Sequence, residues 1–234
     1  MFKITLLKTA HIACANSVIY KGGNFEDTTV IGCHSFLLEH NNKYILIDTG
    51  IEDIDVVNKT KSSTADWSRG DDECRVVDGL KKIGVNPDDI SAVLLTHAHY
   101  DHISGIVHFK NADVYMTKTE YDELYSDDNR LKEYLAEAKE FLKDKNVVTF
   151  SRELKFDDML LKIRGGHTKG SMSVEIPGVL FVGDTIFVHD NIKKQIPAGY
   201  TADREVSDKL LNEYLNYNGK IVTSHDYNEN VGEI

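Results

Sequence analysis

Only three cysteines, three prolines and one tryptophan occur in 234 residues. Cys14, Cys33 and Cys74 are unevenly spaced and form no C-x-x-C pair, which argues against a disulfide framework and for reduced thiols in the cytoplasm. Pro87, Pro177 and Pro197 are too scattered to mark a linker, and no stretch repeats with a period of about 20 to 50 residues, so a single domain over 1–234 is expected. No apolar run approaches the roughly 18 residues of a membrane-spanning helix. The N-terminal text MFKITLLKTAHIACANSVIY lacks the basic start and cleavage site of a secretion signal and reads as a first strand. Positive charge is also scarce: 27 Lys and Arg against 38 Asp and Glu give a formal net charge of -11. Such a surface repels phosphate backbones and anionic membranes, so neither nucleic acid nor a membrane is an expected partner. Two bound divalent cations would shift this balance locally by about four charges.

What is present is an ordinary globular composition, 41% hydrophobic and 28% charged, sufficient for a sizeable core. GCHSFLLEH and KYILIDTG, separated by Asn41 and Asn42, predict two strands joined by a turn. Val76, Val77, Leu80 and Ile83 stand at helical spacing and Gly84 follows, which predicts a helix ending there. Short apolar strands are expected at 90–95, 113–116, 147–150, 159–164, 172–176, 179–182 and 220–223. Two helices are expected between 119 and 143, broken around 126–129, and a last one over 203–217. Segment 52–72 is polar and aperiodic and is read as a surface loop. Its Trp67 either packs on a sheet or closes over an apolar pocket. Tyr121, Leu124, Tyr125, Leu131, Tyr134 and Leu135 are read as the core face of their helices rather than a pocket wall.

The ten histidines are unevenly distributed. His97, His99 and His102 fall with Asp101 in T-H-A-H-Y-D-H, directly after the apolar strand A-V-L-L. Residues two apart on an extended segment point the same way, so His97 and His99 can face one metal ion while Asp101 and His102 turn toward another. Imidazoles and carboxylates at this density suit zinc or another borderline divalent metal, not calcium or magnesium. His167, Asp184 and His225 each follow a further apolar strand, where loops at one sheet edge can converge. Alone, each would be an ordinary core or surface residue; their shared context reverses that reading.

T-H-A-H-Y-D-H together with the downstream G-G-H-T-K-G-S, G-D-T and S-H-D resembles the metallo-β-lactamase superfamily, over nearly the whole chain from I-L-I-D-T-G onward. The resemblance implies an α/β fold of the α+β kind, a four-layer αββα sandwich with two metals at one edge of its sheets. By the same resemblance His97, His99 and His167 bind the first metal, Asp101, His102 and His225 the second, and Asp184 bridges them. The expected cofactors are two divalent ions, Zn2+ first, with Fe and Mn as alternatives. The expected chemistry is hydrolysis by a bridging hydroxide, with Asp101 taking or relaying a proton. Asp48 in I-D-T-G is either a second-sphere orienting group or a turn-making aspartate.

Departures from the pattern narrow the branch. Diiron members carry Glu where this chain has His99, and exported β-lactamases place Cys where it has Asp184. A glyoxalase II carrier-binding domain is not expected, since nine residues follow His225. The tRNA-processing branch is disfavoured by the net charge. The layout is similar to the N-acyl homoserine lactonases, in which a tyrosine helps bind the lactone three residues after the bridging aspartate. Phe187 stands there and cannot donate that hydrogen bond. His189 and Tyr200 are the candidate substitutes, each with an ordinary loop role as the alternative, and Ser171 replaces the last histidine of the usual G-H-T-P-G-H. The expected function is thus a metal-dependent hydrolase of a small ester, lactone or thioester. The alternatives are a small-molecule phosphodiesterase and a metal-dependent binding or sensor protein without turnover; a homodimer is left open.

Overall fold

A computed structural model of the protein describes residues 1–59, 65–126 and 134–231. Six strands form a first sheet in sequence order: β1 (Lys3–Ala15), β2 (Thr28–His40), β3 (Lys43–Ile47), β4 (Ile90–Leu94), β5 (Asp113–Thr117) and β6 (Val147–Phe150). β1, β2 and β3 pair antiparallel and β3 to β6 pair parallel. A second sheet follows, in the order β11, β10, β9, β8, β7, from β7 (Glu153–Phe156), β8 (Met159–Ile163), β9 (Met172–Ile176), β10 (Val179–Phe181) and β11 (Lys220–Val222). The turn expected at Asn41 and Asn42 joins β2 to β3, both residues taking the left-handed conformation (φ 49° and 59°) that asparagine tolerates well.

Side chains alternate across each strand, and this sorts the core into layers. Phe36, Leu38, Ile45, Ile47 and Leu94 face the second sheet and meet Leu161, Val174 and Phe181. Leu37, Leu46 and Val93, one residue out of phase, face a helical layer with Val76, Leu80, Ile103, Phe109, Leu124 and Leu142. Among the described residues the α-helices are α1 (Asn16–Ile19), α2 (Ile54–Asn58), α3 (Val76–Lys82), α4 (Tyr100–Ile103), α5 (Lys118–Tyr125), α6 (Ala136–Lys143), α7 (His189–Lys193) and α8 (Arg204–Leu215). The outer face of the second sheet is covered by α8, whose Leu210, Leu211 and Tyr214 pack on Leu180 and Val182. The expected αββα sandwich is the observed architecture.

Differences from the sequence reading are local. Segment 52–72 begins with α2, N-capped by Asp53, and its far end is tied to β1, where His11 and Ser68 exchange backbone hydrogen bonds. Arg69 adds bonds to the carbonyls of Thr9, Ile51 and Glu52. β7, whose E-L-K-F text is short and half charged, is legible only through its pairing with β8. Leu124 and Leu135 are core residues as expected, with Tyr121 and Tyr125 packed against them, whereas Tyr134 lines a cleft. Leu131, the break expected at 126–129 beyond Ser126, and residues 60–64 of the 52–72 segment lie outside the described residues.

Candidate functional site

Five strands with one direction in common, β3, β4, β8, β10 and β11, end at the same edge of the sandwich, and the loops after them carry the candidate residues. Asp48 follows β3, His97 to His102 follow β4, His167 follows β8, Asp184 follows β10 and His225 follows β11. Gly165 and Gly166 (φ 69° and 82°) supply the left-handed turn that swings His167 inward. Among the described residues, the side chains that could hold a metal gather in two groups, His97, His99, His167 and Asp184, and Asp101, His102 and His225.

Within the first group, His97 Nε2 and His167 Nε2 each lie 3.0 Å from His99 Nδ1. Asp184 Oδ2 is 3.7 Å from His97 Nε2 and 3.4 Å from His167 Nε2. In the second, His102 Nε2 and His225 Nε2 are 3.4 Å apart, and Asp101 Oδ2 is 3.7 Å and 3.6 Å from them. Asp184 lies between the groups, with Oδ1 3.2 Å from His102 Nε2 and Oδ2 3.0 Å from His225 Nε2. Four donors at roughly 2.0–2.1 Å from a tetrahedral ion are separated by roughly 3.3–3.4 Å, so these spacings fit a divalent metal. Hydrogen bonding alone does not satisfy the cluster: Asp184 Oδ1 is buried with no aligned donor.

In His97, His102 and His225 the other ring nitrogen fixes which atom faces inward. His102 Nδ1 donates to Asp48 Oδ2 at 2.8 Å and His225 Nδ1 to the Gly32 carbonyl at 2.6 Å. Thr96 Oγ1 donates to Asp48 Oδ2 at 2.8 Å, so it is free to accept from His97 Nδ1, 3.1 Å away. A third bond reaches Asp48 Oδ1 from the Thr96 backbone N–H at 2.7 Å. One buried carboxylate therefore orients His102 directly and His97 through a threonine, leaving the Nε2 lone pair of each free. Burial pushes His97, His99 and His167 down, His97 well below the usual histidine range and His167 to about 3, so all three are neutral donors. Burial acts the same way on His102 and His225, but the carboxylates of Asp184 and Asp101 outweigh it and raise both. The surrounding imidazoles in turn hold Asp184 well below the usual carboxylate range despite its burial.

The cluster forms the floor of a cleft of about 300 Å³. Ile12, Cys14, Val18, Ile31, Trp67 and Phe187 give it an apolar wall, Tyr100, Tyr134 and Tyr200 add phenols, and no lysine or arginine is among the described residues lining it. Phe187 stacks on His225 at 5.6 Å and meets His167 edge-on at 5.4 Å. The Tyr200 ring lies 5.4 Å from His167 and 6.3 Å from His99. His189, in contrast, does not line the cleft: its Nε2 is 3.0 Å from Glu229 Oε2. Ser171 is buried within the His167 loop, its Oγ accepting from the Thr168 N–H at 3.0 Å. Tyr100 was not singled out by the sequence and Tyr134 was read there as a core-face residue, because their neighbours in space come from distant segments.

The family profile described as Metallo-beta-lactamase superfamily matches residues 28–224. The chain belongs to the metallo-beta-lactamase superfamily. Among proteins similar to it, a probable metallo-hydrolase of Methanocaldococcus jannaschii is 31% identical over 163 residues, 69% of each chain. An N-acyl homoserine lactonase of Bacillus thuringiensis is 26% identical over 193 residues, 77% of this chain and 75% of that one. In structure, an N-acyl homoserine lactone hydrolase with N-hexanoyl-L-homoserine bound at its catalytic metal centre superposes with a TM-score of 0.80 at 22% identity, covering 96% of this chain and 93% of that one. The superfamily fold thus accounts for the whole sandwich, and the two donor groups at its edge are where a superfamily metal centre would be built.

Proposed function

We propose that the protein is a dinuclear metal-dependent hydrolase of small neutral lactones or esters bearing an apolar acyl chain. One observation carries the reading: seven donors in two groups, shared through Asp184, open onto an apolar cleft whose described lining holds no cationic side chain. His97, His99, His167 and Asp184 would hold one ion and Asp101, His102, His225 and Asp184 the other, with zinc favoured by the nitrogen-rich donor set. When bound, the two ions supply Lewis acidity toward the acyl carbonyl and bring the pKa of water toward neutrality. The chain's own residues do the rest. Asp101 lines the cleft and presents Oδ2 to His102 and His225, leaving its other oxygen to hold a proton and pass it to the departing alkoxide. The apolar wall would hold the acyl chain and exclude water from it, and Tyr200, whose ring lies 5.4 Å from His167, would stand in for the hydroxyl that Phe187 lacks. The bound ions would outweigh the charge of Asp101 and Asp184, so it is the apolar wall, with no Lys or Arg among its described residues, that favours a neutral acyl substrate over an anionic phosphodiester. Cys14, Cys33 and Cys74 are free thiols, in keeping with a reducing cytoplasm.

The test is metal content of the purified protein together with turnover of acyl lactones, aryl esters, thioesters and aryl phosphodiesters, with and without chelator. Near two ions per chain and chelator-sensitive lactone or ester turnover is the expected result; turnover of the phosphodiester alone would reverse the substrate assignment, and two ions without turnover would favour a sensor. Each methylene covered by the wall is worth about 0.8 kcal/mol, so kcat/KM is expected to rise about fourfold per added methylene until the cleft is full. Trp67→Ala, which removes the largest side chain of that wall, flattens this dependence while leaving short-chain substrates little changed. A chain-length series measured on both proteins checks it, and parallel slopes would remove Trp67 from the binding surface.

A further inference from the structure

Glu120 was not among the candidate residues, yet its side chain joins two of the ligand-bearing loops. It stands in the first turn of α5, only 3% exposed, three residues after Thr117, whose Oγ1 caps the helix by accepting from the Glu120 N–H at 3.2 Å. The Glu120 carboxylate reaches away from its own helix. Oε2 accepts from the Ala98 backbone N–H at 3.0 Å, and Oε1 accepts from the Gly170 N–H at 3.1 Å and from the Thr168 hydroxyl. Ala98 lies between His97 and His99, and Thr168 follows His167. Thr117 strengthens the same junction by donating to the Gly170 carbonyl at 2.7 Å. The approach is so close that a Cβ on Gly170 would stand 2.6 Å from the Glu120 nitrogen. The second donor group is anchored elsewhere, His102 on Asp48 and His225 on the Gly32 carbonyl.

The geometry points to Glu120 as a positioning residue for the first metal alone: one carboxylate sets the separation between the His97–His99 loop and the His167 loop. The inference rests on the dinuclear reading above and adds to it an asymmetry between the two ions. Both oxygens are needed as acceptors, since three donors from two loops converge on them. In Glu120→Gln one oxygen becomes an NH2 group, so whichever way the amide turns a backbone N–H, that of Ala98 or of Gly170, faces a donor. The loops then separate without any ligand being altered.

The experiment is titration of the metal-free proteins with Zn2+ against a chromophoric chelator, resolving two affinity classes. For Glu120→Gln one class is expected to weaken about 10- to 100-fold, as for loss of other groups that orient metal ligands, while the second stays at its wild-type value. Thr168→Val, a milder change that removes one of the three donors, is expected to weaken the same class to a smaller degree, and Thr168→Ser, which keeps the hydroxyl, to restore it. A merely structural role would lower the unfolding midpoint of the metal-free protein and leave both affinities alone, or weaken them together; either result overturns the proposal, and Thr168→Val reads it out even where Glu120→Gln fails to fold. A wild-type protein that takes up fewer than two ions would sink the dinuclear reading and this inference with it, whereas two ions held normally by the variants would sink this inference only.

Discussion

Asp101→Asn lowers kcat by about 10²- to 10⁴-fold when measured at saturating metal, the range expected for removing a positioned general acid or base. The substitution keeps the shape of the side chain and one oxygen near His102 and His225, whose Nε2 atoms lie 3.7 and 3.6 Å from Asp101 Oδ2. It removes the negative charge and the second acceptor oxygen. At 18% exposure the Asp101 side chain is the more accessible of the two carboxylates of the donor set, Asp184 also lining the cleft but only 3% exposed, so a proton in transit is expected to rest on Asp101. The metal content of the variant has to be measured beside its kcat, so that lost occupancy is not read as lost proton transfer. With both ions in place, a rate within tenfold of wild type would show that Asp101 serves only to hold the ion.

The second large effect is expected at Asp48. Its carboxylate is fully buried and accepts from the Thr96 N–H, the Thr96 hydroxyl and His102 Nδ1. Asp48→Ala leaves all three donors without an acceptor in a site closed to water, at a cost of about 3–5 kcal/mol, or a fall in Tm on the order of 10 °C for a chain of this size. Alanine also carries the strain of the left-handed backbone at this position (φ 57°), which asparagine tolerates. Asp48→Asn is therefore the gentler variant in stability but still loses one acceptor toward either His102 or Thr96. Chemical denaturation of the metal-free forms separates the two changes, and equal stability of Asp48→Ala and wild type would contradict the bonding described here. In the metal-bound forms both variants are expected to bind more weakly, because the inward Nε2 atoms of His97 and His102 lose the partners that fix their tautomers.

How much of this was legible beforehand follows from the range of the interactions. Strands β2 to β6 and β8 to β11 announce themselves by apolar runs bounded by turn residues, and T-H-A-H-Y-D-H places four donors within six residues, a local signal. His167, Asp184 and His225 were legible because each ends a strand and because the motifs resemble those of a family. Asp48 was balanced between two roles, and only its contact with His102, 54 residues later in sequence, distinguishes them. Glu120 was passed over as part of a helix face, although T-x-x-E after an apolar strand marks a helix start; the spacing locates the residue but not the loops its carboxylate reaches. His189 was a candidate to replace the hydroxyl missing at Phe187, but α7 begins at that residue and its ring turns to Glu229.

The first sheet is made entirely of residues before 151 and the second entirely of residues after 152, so the sandwich is two consecutive stretches of chain laid face to face. The donors divide at the same boundary: His97, His99, Asp101 and His102 come from the first stretch, and His167, Asp184 and His225 from the second. Neither group is complete within one stretch. During synthesis the earlier residues emerge with four donors and no finished set in either group, and His225 is added only after the last strand of the second sheet. Neither ion could therefore be fully held until the two halves meet, and metal binding is expected to join them as a rivet joins two plates.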